Sequence, residues 1–274
     1  MKIARSKKQN SIPHNIPEKG FYFDNSLDKK GKPRHTYYYD GKKMTGVTTI
    51  VGGVFPKVLT WWASGLALSP LGWGNKNNLP IPELDKLAQE GKENIENMSV
   101  KEYRLFLQKC YRGHKTELDR TADIGTTVHN GIEDYIKTGH VPEMGSNERK
   151  MVDNVLNWFK ENNVKVIESE KKLYSVKHWY AGTVDLVIEM DGRKYIADIK
   201  TSKQVGTSYF AQMGGYHIML DEMTKGEHDI KGYVVIRTGR DGTFETVMSE
   251  DVSGDKKLFL SALEVFRLVN NTTI

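Results

Sequence analysis

The segment GTVDLVIEMDGRKYIADIKTSK, residues 182–203, holds three side chains whose types and spacing could do chemistry: Asp185, Asp198 and Lys200. Two apolar runs flank Asp191-Gly192, a dipeptide that tolerates the positive φ of a tight hairpin turn. Pairing across that turn makes neighbours of residues whose numbers sum to 383, which sets Asp198 opposite Asp185. Facing carboxylates repel each other. A divalent cation turns that repulsion into binding, because hard oxygen donors suit magnesium or manganese. Asp198 and Lys200 are two apart and share a strand face, while Ile199 turns to the other. Val184, Leu186, Val187, Ile188, Tyr195, Ile196, Ala197 and Ile199 make both strands apolar on two faces, so they are expected to be central and buried. Charges in such a place need a partner or a metal. The alternative is a solvated strand face on which Lys200 neutralises Asp198, a pairing of little energetic consequence.

The elements that must position these groups form an ordered series. Strands are expected at about 164–175, 180–190 and 193–200, then a helix at 206–224, strands at 231–238 and 244–249, and a closing helix at 253–270. Ahead of them, residues 123–137 read as a helix stopped at Gly139, and Ser146 opens a helix with Met151, Val155, Trp158 and Phe159 on one side. This order predicts an α/β fold: a central mixed β-sheet flanked by helices, with an N-terminal, mostly helical elaboration. Three parts are expected: a basic arm over 1–35, a hairpin (36–51) and helical elaboration over 36–120, and the core over 121–274. In the elaboration, Tyr37–Tyr39 precede an Asp40-Gly41 turn and a Val/Thr/Ile run that reads as the second strand. Ser99 and Glu102 have the spacing of a capping box.

Composition permits this fold and narrows its chemistry. The chain has 274 residues, 38% of them hydrophobic, enough for a full core. Its net charge of +5 allows a polyanionic partner without requiring one. The first thirty-four residues carry nine lysines and arginines against Glu18, Asp24 and Asp28, read either as a solvated arm or as a contact to a phosphate backbone. The single cysteine, Cys110, leaves no internal disulfide and no four-cysteine zinc or iron–sulfur site. No apolar run has the length of a membrane span, and MKIARSKKQN lacks the apolar centre of a signal peptide, so a cytoplasmic protein is expected.

Five motifs in order resemble the PD-(D/E)XK nuclease superfamily in its RecB-like exonuclease branch, over about residues 121–240. Gly125-Thr126-Thr127-Val128-His129 is similar to the branch's helical G-x-x-x-H motif, with Glu133 one turn later. Glu170 matches an acidic residue of the preceding strand, and Gly182-Thr183-Val184-Asp185 looks like the G-x-x-D motif. Asp198-Ile199-Lys200 looks like (D/E)-x-K, and Gln212-Met213-Gly214-Gly215-Tyr216 like Q-x-x-x-Y. Val184 stands where the superfamily name has Pro, a residue this branch usually lacks. Phage recombination nucleases also resemble the chain at Val47-Thr48-Thr49-Ile50, which suggests a bacterial or phage-infected host over a mitochondrion.

The resemblance implies a Mg2+- or Mn2+-dependent deoxyribonuclease without an iron–sulfur cluster. Its expected action is hydrolysis of phosphodiester bonds at free DNA ends during recombination or repair. A structure-specific or nonspecific endonuclease with the same core is a second reading. A DNA-binding module with an inactive site is a third, against which the intact Asp185, Asp198 and Lys200 count. The implied metal ligands are His129, Asp185, Asp198 and the Ile199 carbonyl. Lys200 could orient the attacking water, act as its base or stabilise the charged transition state, and positioning with charge stabilisation is the expected role. Glu133 is a candidate acceptor for His129, Glu170 a further carboxylate or an ion-pair partner, and Gln212 and Tyr216 either phosphate contacts or supports for Lys200. Trp61, Trp62 and Trp73, with Lys57 and Lys76, could stack and bind a single strand or pack a core, and Trp179 could line the substrate groove.

Overall fold

The structure, a computed structural model, describes residues 16–29, 31–56, 59–72 and 81–270, with only the backbone of Thr60 and Trp61. Lys57, Trp73, Lys76 and most of the cations of the basic arm lie outside the described residues. The elements run β1 (Phe21–Asp24), β2 (Thr36–Tyr39), β3 (Lys42–Gly46), α1 (Val47–Val54), α2 (Thr60–Leu68), a 3-10 turn (Ser69–Leu71), α3 (Ile81–Glu96), α4 (Val100–Thr138) and α5 (Ser146–Glu161). Then follow β4 (Lys165–Ser175), β5 (Tyr180–Met190), β6 (Arg193–Lys200), α6 (Thr207–Thr224), β7 (Ile230–Thr238), β8 (Phe244–Ser249) and α7 (Val252–Asn270). The fold is α/β with a mixed eight-stranded sheet, as the order of sequence patterns predicts. No helix among the described residues is long and apolar enough to cross a membrane.

Chain contacts divide the molecule into two compact units: one runs to Phe55 and resumes at Asp153, and the other is Pro56–Val152. The division differs from the grouping expected from sequence. The β2–β3 hairpin belongs with the sheet because β3 pairs in parallel with β5, Thr45 beside Tyr180 and Gly46 beside Ala181. Residues 121–152 group instead with the helical unit. That unit is built on α4, a single helix of 39 residues where two segments were expected. No proline interrupts it, its Ser99–Glu102 capping box is fully formed, and Gly139 closes it in the left-handed conformation.

The Val47–Ile50 run is the other departure: it is helix, not the second strand of the hairpin. Val47, Ile50 and Val51 are the buried residues of α1, a spacing of three and four that matches a helical face. They join one core with Leu173, Val184, Ile196, Met213, Tyr233 and Phe259, which packs α1, α6 and α7 on one side of the sheet. Close approach of α7 to α6 needs Gly214, where a Cβ would lie 2.5 Å from the Asp255 carbonyl oxygen.

Strand β5 organises the sheet. Strand β4 pairs along nearly its whole length. Its other edge is shared: β3 pairs at Tyr180 and Ala181, and β6 pairs from Leu186 to Met190. Asp185 therefore sits where that edge passes from one partner to the other. The β5–β6 turn has positive φ at both Asp191 and Gly192, as a two-residue hairpin requires. Strand β6 continues into a parallel pair with β7, which sets Lys200 beside Arg237.

Candidate metal centre and active site

The β5–β6 register keeps the expected sum, from Met190 opposite Arg193 to Leu186 opposite Ala197. One step further the ladder gives way to a side-chain bond: the Ile199 N–H donates to Asp185 Oδ2 at 2.9 Å. Val184 and Val187 both enter the core beneath α6 although they are three residues apart, so β5 does not alternate strictly as it passes Asp185. The ideal hairpin drawn from sequence is thus broken at Asp185.

On the opposite strand, Glu170 falls between the pairs Ser169–Leu186 and Lys171–Val184, which places it across from Asp185. It lies in mid-strand with a φ of 49°, a left-handed backbone that a glutamate adopts only where its surroundings enforce it. Carboxylate oxygens of Glu170 and Asp185 lie within 4.8 Å of one another. Lys172 partly balances the pair, its Nζ 3.8 Å from Glu170 Oε2 and donating to the Glu170 carbonyl at 2.8 Å. Both alternatives for Glu170, carboxylate cluster and ion pair, are therefore present together.

Asp198 is fully buried and its two oxygens are held differently. Oδ1 accepts from Gln212 Nε2 at 3.1 Å, and Oδ2 is ion-paired with Lys200. Gln212 Nε2 also donates to the Tyr216 hydroxyl at 2.9 Å. Gln212 and Tyr216 thus order Asp198 rather than Lys200. The Lys200 ammonium lies 5.1 Å from the centre of the Tyr209 ring. Burial alone would lower its pKa, but Asp198 and Asp185 outweigh it and raise the ammonium above its ordinary range. Burial first, and then Asp198 and Asp185, push the Tyr216 phenol far up, so it stays a neutral hydroxyl. Ile199 is buried as expected.

Gly182 explains how two of the motifs meet. A Cβ there would lie 2.8 Å from Tyr216 Cε1 and 3.2 Å from Val47 Cγ2. The missing side chain is the space into which Tyr216 packs. Tyr37 reaches the same neighbourhood from β2, its hydroxyl 3.0 Å from Thr183 Oγ1. Tyr209, Tyr37 and Thr183 are the site residues that sequence reading missed. Tyr209 had a signal, since positions 209, 212 and 216 fall on one face of a helix.

The other residues singled out in the sequence fall as follows. His129 is half-buried on α4, in the helical unit. Glu133 is ion-paired with Lys137 one turn on, rather than acting as an acceptor for His129. Trp62 is half-buried in α2, and the side chain of Trp61 lies outside the described residues. Trp179 is half-buried in an aromatic cluster around Tyr37 and Met44, its indole N–H donating to the Lys43 carbonyl at 3.2 Å. Packing and that bond occupy it.

No protein-family model matches the chain, and no curated protein does. A solved structure described as "Crystal structure of SSO0001" covers 52% of this chain and 85% of its own, at 11% identity and a TM-score of 0.26, a likeness too slight to bear on function.

Proposed function

We propose that this chain is a divalent-metal-dependent nuclease that hydrolyses phosphodiester bonds of DNA, acting from free ends. The observation that carries the reading is the approach of Glu170 and Asp185 across the β4–β5 pair, their carboxylate oxygens within 4.8 Å of one another, with the Asp198–Lys200 ion pair on the neighbouring strand β6. A row of hard carboxylate donors fits Mg2+ or Mn2+ and gives soft metals no preferred ligand. The left-handed backbone at Glu170 supports it, because strain of that kind, about 1–3 kcal/mol, concentrates at functional sites. The order of sequence motifs adds membership of the PD-(D/E)XK superfamily to the proposal, with His129 and the Ile199 carbonyl as further ligands.

When bound, the metal polarises a phosphate oxygen and lowers the pKa of a coordinated water. The chain's own residues do the rest. Asp185 and Glu170 would hold the ion, and the Ile199 N–H fixes Asp185 in place. Gln212 holds Asp198 in one orientation through Oδ1. Lys200, steered by Asp198 and the Tyr209 ring, presents a fixed positive charge to the phosphate as negative charge builds on it.

The test is digestion of end-labelled linear and circular DNAs, single- and double-stranded, with Mg2+ and with EDTA. Metal-dependent loss of linear substrates while circles survive is expected. Cutting of circles would make the enzyme an endonuclease. Absence of cleavage on all four substrates with either Mg2+ or Mn2+ would remove the proposal.

A further inference from the structure

Beside the carboxylates, where β6 and β7 end, lies a cleft of about 600 Å³ lined by Lys203, Gly206, Thr207, Phe210, Arg237 and Glu245, among others. Three features of it favour an anion. The first is Arg237, 6% exposed although charged. Its Nε donates to Glu245 Oε1 at 2.5 Å, Nη2 to Thr243 Oγ1 at 2.8 Å and Nη1 to the Ser202 carbonyl at 3.3 Å. A guanidinium has about five N–H donors, so one N–H on each Nη is left without a partner among the described residues. Glu245 takes only the Nε edge, and its side chain is 46% exposed.

The second feature is the start of α6, a helix of 18 residues. Its N-cap is Gly206, no side chain caps it, and its first turn holds no acidic residue. The start of the helix, with the positive end of its macrodipole, therefore lies at the cleft without a capping side chain, and Glu245 is the one acidic residue of the lining. The third is Lys203, exposed on the same rim. Register fixes what these groups would meet. Lys200 pairs with Arg237 in the parallel β6–β7 ladder, so the two side chains rise from one sheet face, one strand spacing or about 4.8 Å apart.

The geometry points to a second phosphate-binding subsite, in which Arg237, Lys203 and the α6 N-terminus hold a phosphate of the nucleic-acid strand adjacent to the one engaged at Lys200. The inference rests on the nuclease reading and deepens it. The subsite anchors the strand and sets its register, while Asp185, Asp198 and Lys200 act on the neighbouring bond. The occupant is either an internal phosphodiester or a terminal 5′-phosphate, which the experiment separates.

The test is fluorescence anisotropy of the full chain, in EDTA, with 3′-labelled single-stranded oligonucleotides bearing a 5′-phosphate or a 5′-hydroxyl. Lys203→Gln and Arg237→Lys are each compared with the parent. The second keeps the buried charge but loses the planar fork. Binding about tenfold weaker in each variant is expected, as for loss of one charge-assisted contact. The slope of log K against log salt should shrink by about 0.7 for Lys203→Gln, and its cleavage should show a raised KM with kcat retained. A loss equal on both oligonucleotides assigns the subsite to an internal phosphodiester; a loss confined to the phosphorylated one assigns it to the terminus. Unchanged affinity in both variants, with a parent that binds DNA, overturns the subsite and leaves the nuclease reading standing. A parent that neither binds nor cleaves DNA overturns both.

Discussion

At the scale of single residues, the site is a set of charges kept in place by neutral neighbours. Lys200 has no freedom to wander, since Asp198 and the Tyr209 ring confine it. Lys200→Ala is expected to lower kcat by roughly 10²–10³, the usual effect of removing one preorganised charge, with Mn2+ affinity kept. Gln212 does not touch Lys200, yet it satisfies an oxygen of a fully buried carboxylate. Gln212→Ala should destabilise the fold by about 1–3 kcal/mol, read from urea unfolding in EDTA. An unchanged midpoint would mean that Gln212 has no part in seating Asp198. Asp185, Asp198 and Lys200 were legible in the sequence because strand spacing and one hairpin turn bring them together. Tyr209 was signalled only by sharing a helical face with Gln212 and Tyr216, and Tyr37 not at all, because their contacts depend on how α6 and β2 dock against the sheet.

At the scale of elements, close approaches decide the geometry. The bare Cα of Gly182 lets Tyr216 of α6 press against β5. Gly182→Ala should cost about 1–3 kcal/mol by overpacking and should slow cleavage by displacing Tyr216 from Gln212. A stability equal to the parent's would show that Tyr216 has room to move. Farther along α6, His217 is buried between the Tyr233 hydroxyl, 2.9 Å from Nδ1, and Asp221, 3.3 Å from Nε2. Burial outweighs Asp221 and pushes its pKa down from 6.5 to about 4. Its neutral form is thus the one the fold accepts. The stability it confers is complete above pH 6.5 and is lost as pH falls toward 4, roughly 3 kcal/mol in all. Urea midpoints measured from pH 7.5 to 4.5 should fall less steeply in His217→Gln than in the parent; equal slopes would contradict this. Element types from β4 onward were readable because alternation and turn dipeptides mark them. Residues 47–51 read as strand in the sequence because β-branched residues favour one, whereas their burial follows a helical period.

At the scale of the molecule, the fold places the candidate site at an interruption of the sheet. Strand β5 gives one edge to β3 and then to β6, and Asp185 occupies the changeover, bonded to the Ile199 amide in place of a ladder bond. Glu170 approaches it across the other edge. The fold class was legible in the order of patterns, but the division into units was not: β2, β3 and α1 join the sheet through a parallel pairing that no local pattern encodes. On the proposed function, these carboxylates hold a hard divalent ion. Anomalous diffraction from crystals grown with Mn2+ tests it most directly. The expected result is one strong manganese peak within ligand distance of Asp185 and Glu170 or Asp198, absent from crystals of Asp185→Asn. Manganese bound only elsewhere, or a peak that persists in that variant, would contradict the account.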